Sequence, residues 1–179
     1  MTDANKRWLI AIILIGGVAV LGSYIWGIQA RSDAGQILWG GVPEQIRPFY
    51  TVNMFLAAAG YFLFTFFILF RLDPMETKVT SRFGFGVFHG LYAAILIPSA
   101  LWLPLTLLAV DQSSQALLWL VRIVLGVVGA ASLGLFFALR KVRPPQPAWA
   151  YRLAMVGSMF FCIQTVILDA LVWGAFFQL

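Results

Sequence analysis

The sequence predicts an all-α bundle of five transmembrane helices that forms a single domain over residues 1–179. Hydrophobic residues make up 61% of the chain and charged residues 11%, whereas a soluble domain has about 45–50% apolar and about 25% charged residues. Five apolar stretches reach the length of about 20 residues that a helix needs to cross the hydrocarbon. The basic residues also cluster on one side of such an arrangement, as they do in membrane proteins.

Each span is bounded by a recognisable signal. Trp26 ends the first span as an interfacial anchor, and Pro48 begins the second, because proline is tolerated in the first turn of a helix. The short polar segment VDQSSQ separates the third span from the fourth. Before the fifth, RKVRPPQPAWA contains Pro144, Pro145 and Pro147, which cannot continue a helix. The predicted spans cover residues 8–26, 48–70, 83–109, 116–139 and 151–177.

Lysine and arginine are concentrated on one side of this arrangement. The opposite side has only Arg31 and Arg47, while Arg122 falls within the fourth span. Because Lys and Arg accumulate on the cytoplasmic side, the N-terminus is predicted to be cytoplasmic and the C-terminus outside, in a plasma (inner) membrane. The same rule explains the net charge of +5 without a nucleic-acid partner. The residues on the basic side are Lys6, Arg7, Arg71, Lys78, Arg82, Arg140, Lys141, Arg143 and Arg152.

Polar and small residues follow helical spacing within four of the spans. Residues three and four apart share a helix face, and small residues on such a face let two helices approach closely in a membrane. We therefore expect these faces to turn inward, away from lipid. They are Asn53, Ala57 and Gly60 on the second span; His89, Tyr92, Ser99 and Thr106 on the third; Arg122, Gly126, Ala130 and Gly134 on the fourth; and Ser158, Cys162, Thr165 and Asp169 on the fifth.

Two opposite charges lie at similar depths in this arrangement. At about 1.5 Å per residue, Arg122 lies about 9 Å and Asp169 about 12 Å from the outer face. A charge at the bilayer centre costs about 2.5–3.5 kcal/mol on insertion scales, so each charge needs a partner. The sequence predicts an Arg122–Asp169 ion pair, with Asn53 and Thr106 as hydrogen-bond partners. Such a pair fixes helix packing or forms part of a ligand or ion site, and both interpretations stay open.

The outer loop at residues 27–47 is long for a connection in a small bundle. Its segment DAGQILWG predicts one interfacial helical turn, which places Trp39 in lipid or over the helix ends. Gly40 and Gly41 offer a hinge after this turn. The loop is either an interfacial anchor or a lid over an outer cavity. His89, near the inner end of the third span, is expected to hydrogen-bond a neighbouring carbonyl or tyrosine.

Tryptophans are concentrated in the outer half of the predicted bundle. An aromatic belt accounts for them, and so does an aromatic-walled pocket that opens outward. In the second interpretation the protein is a non-enzymatic membrane protein that binds a lipid-like or aromatic small molecule. The alternatives are an accessory or structural subunit of a larger membrane complex, with a homo-oligomer included, and a small transporter. The candidate ligand-binding residues are Arg122, Asp169, Asn53, Trp102, Tyr50, Trp173, Trp39 and Thr106.

Several chemistries have no support in the residue inventory. A single cysteine and a single histidine argue against a metal site or a haem held by two histidines from this chain. Lys6, Lys78 and Lys141 all lie at span ends, so none can hold retinal within a span. The sequence has no catalytic or nucleotide-binding motif. We therefore expect no enzyme activity, no metal and no cofactor.

One segment resembles a known family. ALWLP, at residues 100–104, is similar to part of the third helix of the tryptophan-rich translocator proteins, which also have five helices and a long first loop. That resemblance implies a translocator-like sensory protein. The first loop of the family is dense in proline and tryptophan, whereas Trp39 stands alone in this one. The positive-inside rule also places the loop on the opposite side, and no ligand-binding residue is carried over.

Overall fold

A computed structural model describes residues 2–81, 83–142 and 148–179 of the chain. These residues form helices and no named strand. The helices are α1 (Thr2–Ala30), α2 (Ala34–Trp39), α3 (Arg47–Arg71), α4 (Gly86–Asp111), α5 (Gln115–Lys141) and α6 (Ala148–Cys162). From α6 the chain continues as a π-helical segment, Ile163–Trp173, and a last α-helical turn, Gly174–Phe176. We call Ala148–Phe176 the fifth span.

Five helices are long and apolar enough to cross a membrane: α1, α3, α4, α5 and the fifth span. This finding confirms the all-α fold with five spans and the class of multi-pass membrane protein. Helix α1 packs on α4, α4 on α5, and α5 on the fifth span, which packs on α3. Side chains also join α3 to α4, because the hydroxyls of Thr65 and Tyr92 are hydrogen-bonded at 2.7 Å. Helix α1 thus stands at one edge of the bundle, against α4.

The two ends of the bundle differ in their connections. Most Lys and Arg residues lie at one end of the bundle, which we call the basic end, and α1, α4 and α6 begin there. At this end His89 Nε2 lies 2.8 Å from the carbonyl oxygen of Asn5. This contact confirms the predicted histidine–carbonyl hydrogen bond. At the opposite end, which we call the loop end, the connection between α1 and α3 contains α2 and a short 3₁₀ turn, Glu44–Ile46. Helix α2 confirms the predicted helical turn in this loop.

Helix α4 begins at Gly86, later than the predicted residue 83. The cause is a tight turn in which the Val79 amide donates to the Phe83 carbonyl at 2.9 Å. Lys78 and Gly84 form an isolated antiparallel bridge around this turn. The prolines predicted to stiffen the last connection, Pro144, Pro145 and Pro147, lie outside the described residues, as do Arg82 and Arg143.

Glycines set the closest approach between helices. A Cβ added at Gly60 on α3 would lie 2.8 Å from Gly157 Cα on α6 and closer still to the Gly157 carbonyl oxygen. The two backbones are therefore in direct contact. Asn53, Ala57 and Gly60 are all buried, which confirms the inward face predicted for the second span.

The face predicted for α5 is wrong at Gly126 and Ala130, whereas Gly134 does face α4, since a Cβ there would lie 2.8 Å from Leu91 Cδ2. Gly126 and Ala130 are exposed, and a Cβ at Gly126 would meet no atom within 4 Å. The inward face is offset by a few residues and carries larger side chains that fill the space toward α4 and the fifth span. Gly129 takes the role of the small residue, since a Cβ there would lie 3.3 Å from the Thr165 carbonyl oxygen. The buried residues of this face include Val121, Leu125, Val128, Ser132, Leu135 and Leu139.

Candidate functional site

The fifth span changes from α- to π-helical winding directly before Gln164. The π-helical segment runs from Ile163 to Trp173 and contains Gln164 and Asp169. Its backbone hydrogen bonds join residues five apart, so side chains five apart lie one above the other. Gln164 Nε2 accordingly donates to Asp169 Oδ1 at 2.9 Å. In an α-helix these two residues would lie on different faces.

Helix α3 supplies the remaining polar groups of this network. The Tyr50 hydroxyl donates to Asp169 Oδ1. Asn53 Nδ2 lies 3.0 Å from Gln164 Oε1 and 3.3 Å from the Phe160 carbonyl oxygen. Asn53 is only 3% exposed, and buried amides of this kind need such partners. Tyr50, Asp169, Gln164 and Asn53 therefore form one continuous hydrogen-bonded chain between α3 and the fifth span, which we call the polar network.

The predicted Arg122–Asp169 ion pair is not formed. Arg122 Nε donates to the Gly174 carbonyl oxygen at 3.0 Å, and Arg122 Nη2 donates to the Phe177 carbonyl oxygen at 3.3 Å. Its guanidinium also lies over the Trp119 ring, 4.8 Å from the ring centroid. No salt bridge to Asp169 exists among residues 2–81, 83–142 and 148–179.

The two charged side chains turn in different directions. Asp169 turns toward α3, where Tyr50 binds it. Arg122 turns toward the C-terminal end of the fifth span, where the last carbonyls have no partner within the helix and carry the negative end of its dipole. Thr106 is also placed differently from the prediction, because its hydroxyl donates to the Trp102 carbonyl oxygen at 2.8 Å.

Aromatic rings surround the polar network. Trp102 on α4 contacts Tyr24 on α1 edge to face at 5.9 Å between centroids, and it contacts Trp173 in the same manner at 5.8 Å. Trp173 stacks on Phe177 at 4.3 Å. These rings bring α1, α4 and the fifth span together next to Tyr50, which belongs to the same buried cluster as Trp102 and Trp173.

Trp102 carries an unusual donor. Its Nε1 atom is buried and has no hydrogen-bond partner within the part of the chain that the structure describes. Buried tryptophan N–H groups usually find a partner, because an unpaired donor away from water costs free energy. Trp173 shows the usual case, since its Nε1 donates to the Leu38 carbonyl oxygen at 2.8 Å. The Trp102 donor is therefore available to an acceptor from outside the chain.

The loop covers the end of the bundle next to the polar network. Trp39 lies edge to face against Tyr50 at 5.6 Å, and Val42 is 1% exposed. Gly40 has a φ of +51°, and a Cβ there would lie 2.5 Å from Phe177 Cδ2. A Cβ at Gly41 would collide with the Phe176 carbonyl oxygen. These glycines permit close contact with the end of the fifth span, so Trp39 lies over the helix ends.

Two arginines hold the loop in place. Arg47 Nε donates to the Val42 carbonyl oxygen at 3.0 Å, and its guanidinium lies 5.4 Å from the Trp39 ring centroid. Arg31, at the end of α1, forms ion pairs with Asp33 and with Asp111 at the end of α4. Hydrogen bonding from Arg31 lowers the pKa of the Asp33 carboxyl below its ordinary value. Arg31 and Arg47 are thereby engaged with the loop and its neighbours.

Of the residues proposed from the sequence, the structure groups most around Asp169. Tyr50 binds the carboxylate directly, Asn53 belongs to the same network, and the rings of Trp39, Trp102 and Trp173 lie around it. Arg122 and Thr106 are bonded elsewhere.

Sequence reasoning missed Gln164 and Tyr24. Gln164 stands five residues before Asp169, which α-helical spacing assigns to another face. The signal was a second strongly polar side chain in the apolar run CIQTVILDALVW. Tyr24 gave no signal, because a tyrosine near the end of a span is usually an interfacial residue.

Comparisons of the chain with protein-family models, with curated proteins and with solved structures give no match. Neither the resemblance to the translocator proteins nor any other family assigns a role to these residues.

Proposed function

We propose that this protein binds a lipid-like or aromatic small molecule between α1, α3, α4 and the fifth span, beside the polar network. The proposal includes no enzyme activity. Ligand pockets are mostly apolar and aromatic, with a few polar groups that orient the ligand. Tyr24, Trp102 and Trp173 supply the aromatic wall, and Asp169 supplies a polar group that keeps part of its surface accessible.

The observation that carries this proposal is the unpaired N–H of Trp102. A buried donor without a partner costs about 1–3 kcal/mol. Among the described residues the Tyr61 hydroxyl and Arg71 Nε are also buried without a partner, but only Trp102 packs in the same cluster as Tyr50 and Trp173. An acceptor oxygen on a bound molecule would satisfy the Trp102 N–H. Helices α1 and α3 flank the site and make little contact with one another, so a lipophilic molecule could approach between them from the bilayer.

The ligand is tested by native mass spectrometry of the protein in lipid nanodiscs. We expect a reproducible small-molecule mass on the wild-type chain. Trp102→Phe should lose most of it, because this change keeps the ring and removes the donor. Trp119→Phe is the matched control, since Trp119 is 60% exposed and lies over Arg122. A bare chain accompanied by other polypeptides would contradict the proposal and favour an accessory subunit of a membrane complex.

We further propose that the basic end is cytoplasmic, in a plasma membrane, because Lys and Arg collect at that end. With Cys162 replaced by serine, single cysteines are introduced at exposed Gln112 in the α4–α5 connection or at exposed Glu76 at the basic end. A membrane-impermeant maleimide added to intact cells should label the Gln112→Cys protein. The Glu76→Cys protein should be labelled only after permeabilisation. The reverse pattern would place the N-terminus outside.

A further inference from the structure

Within the part of the chain that the structure describes, no cation forms an ion pair with the Asp169 carboxylate at the proposed ligand site. Asp169 receives hydrogen bonds from Tyr50 and Gln164, which are both neutral. Arg122, the expected counter-ion, is held instead by two backbone carbonyls and by the Trp119 ring. A carboxylate in a low-dielectric environment is costly unless it is paired with a positive charge or neutralised. The position that Arg122 was expected to fill is therefore open to another cation.

The carboxylate also has an unused oxygen. Both described hydrogen bonds, from Tyr50 and from Gln164, reach Oδ1. Among residues 2–81, 83–142 and 148–179, no donor reaches Oδ2. The two bonds fix the orientation of the carboxylate, because each comes from a side chain held by another element or turn. Oδ2 is left as an acceptor whose direction is set by the two bonds to Oδ1.

The surrounding rings suit a positive charge better than a negative one. Faces of tryptophan and tyrosine attract ammonium groups within about 6 Å of the ring centroid. Tyr50 donates to the carboxylate, and Trp173 follows Asp169 by about one turn of the fifth span. The Tyr24 ring contacts Trp102, which contacts Trp173. One carboxylate among several aromatic rings is the combination that recognises organic ammonium ions.

We infer that the molecule bound at this site is a lipophilic organic cation, whose ammonium group pairs with Asp169 Oδ2 and whose apolar body lies against Tyr24, Trp102 and Trp173. This inference rests on the proposed function and narrows its ligand class. The Trp102 N–H then takes an acceptor oxygen elsewhere on the same molecule. An anionic or neutral ligand would leave Asp169 without a counter-charge.

The test compares two probes that differ in charge and share a shape. One is a phenylalkyl trimethylammonium ion, and the other is its neutral isostere, in which carbon replaces nitrogen. Binding of each to the full chain in a non-ionic detergent is measured by tryptophan fluorescence. We expect the cation to bind at least about ten-fold more tightly than the isostere. This comparison needs only the wild-type protein, so it does not depend on how a variant folds.

Two variants then test whether Asp169 is the carboxylate that binds the cation. Asp169→Asn should weaken cation binding by about 30-fold or more, the effect of truncating one partner of a buried charge pair. Asp111→Asn is the matched control, because it removes an exposed carboxylate from the same end of the bundle, and it should leave binding unchanged.

The outcomes separate this inference from the proposed function. Equal binding of both probes would overturn the inference that the ligand is a cation. It would leave the proposed binding site unaffected. Binding of neither probe would overturn the inference, while the proposed function is tested separately by the small-molecule mass on the chain in nanodiscs. Equal loss in Asp169→Asn and Asp111→Asn would assign the preference to the general negative charge of this end and would also overturn the inference.

Discussion

Alanine at Gly60 will lower the free energy of unfolding by about 2–3 kcal/mol, the upper part of the range for overpacking a close contact. The added methyl group would press on the backbone of Gly157, which cannot move aside as a flexible side chain can. Gly157→Ala should act in the same direction, since a Cβ there would lie 2.7 Å from Gly60 Cα. Denaturation in mixed detergent micelles, followed by circular dichroism, measures both.

Gly126→Ala provides the matched control for this prediction. Gly126 is also a glycine within a transmembrane helix, but a Cβ there meets no atom within 4 Å. Alanine should therefore be neutral or stabilise α5 by up to about 1 kcal/mol through its higher helix propensity. If Gly60→Ala and Gly126→Ala prove equally stable, α3 and α6 are not in backbone contact at Gly60.

Tyr50 and Asp169 should show a coupling free energy of about 1–2 kcal/mol in a double-mutant cycle of Tyr50→Phe and Asp169→Asn. Hydrogen bonds to charged groups contribute about 1.5–3 kcal/mol, and Asp169→Asn keeps part of this interaction because the amide oxygen still accepts. Stability of the four proteins is measured by the same micelle denaturation. The cycle isolates the contact from the effects of each single change.

The cycle of Arg122→Gln and Asp169→Asn is the comparison for this coupling. These residues share no hydrogen-bond partner, so their effects should add within about 0.5 kcal/mol. Arg122→Gln alone should still cost about 1–2 kcal/mol, because the Gly174 and Phe177 carbonyls lose a charged donor. A larger coupling for Arg122 than for Tyr50 would show that the two charges pair after all.

The number of spans and the grouping around Asp169 followed from the sequence, because length, hydropathy and helical spacing determine them. The direction of Arg122 did not, since depth along a helix says nothing about whether the nearest acceptor is a carboxylate or the free carbonyls of a helix end. The inward face of α5 was missed for a related reason. Small residues at Gly126 and Ala130 and large ones at Val121 and Leu125 both follow helical spacing, and only packing against neighbours selects between them.

Gln164 shows most clearly what could not be predicted from the sequence. Its contact with Asp169 requires π-helical winding. No local pattern in CIQTVILDALVW predicts this winding. Spacing rules for α-helices therefore assigned the correct polar residues to the span but not the correct neighbours.

The polar network also bears on how the chain is made. Tyr50 and Asp169 are separated by 119 residues. Tyr50, on helix α3, is therefore synthesised more than a hundred residues before Asp169 on the last helix. Until the fifth span has been synthesised, Tyr50 and Asn53 on α3 lack the partners that this span provides. The final helix brings a carboxylate and an amide that bond each other and that also bond Tyr50 and Asn53 on this earlier helix. Assembly at the loop end is thus an event that follows translation, and a chain that stops short of the last helix leaves α3 without its polar partner.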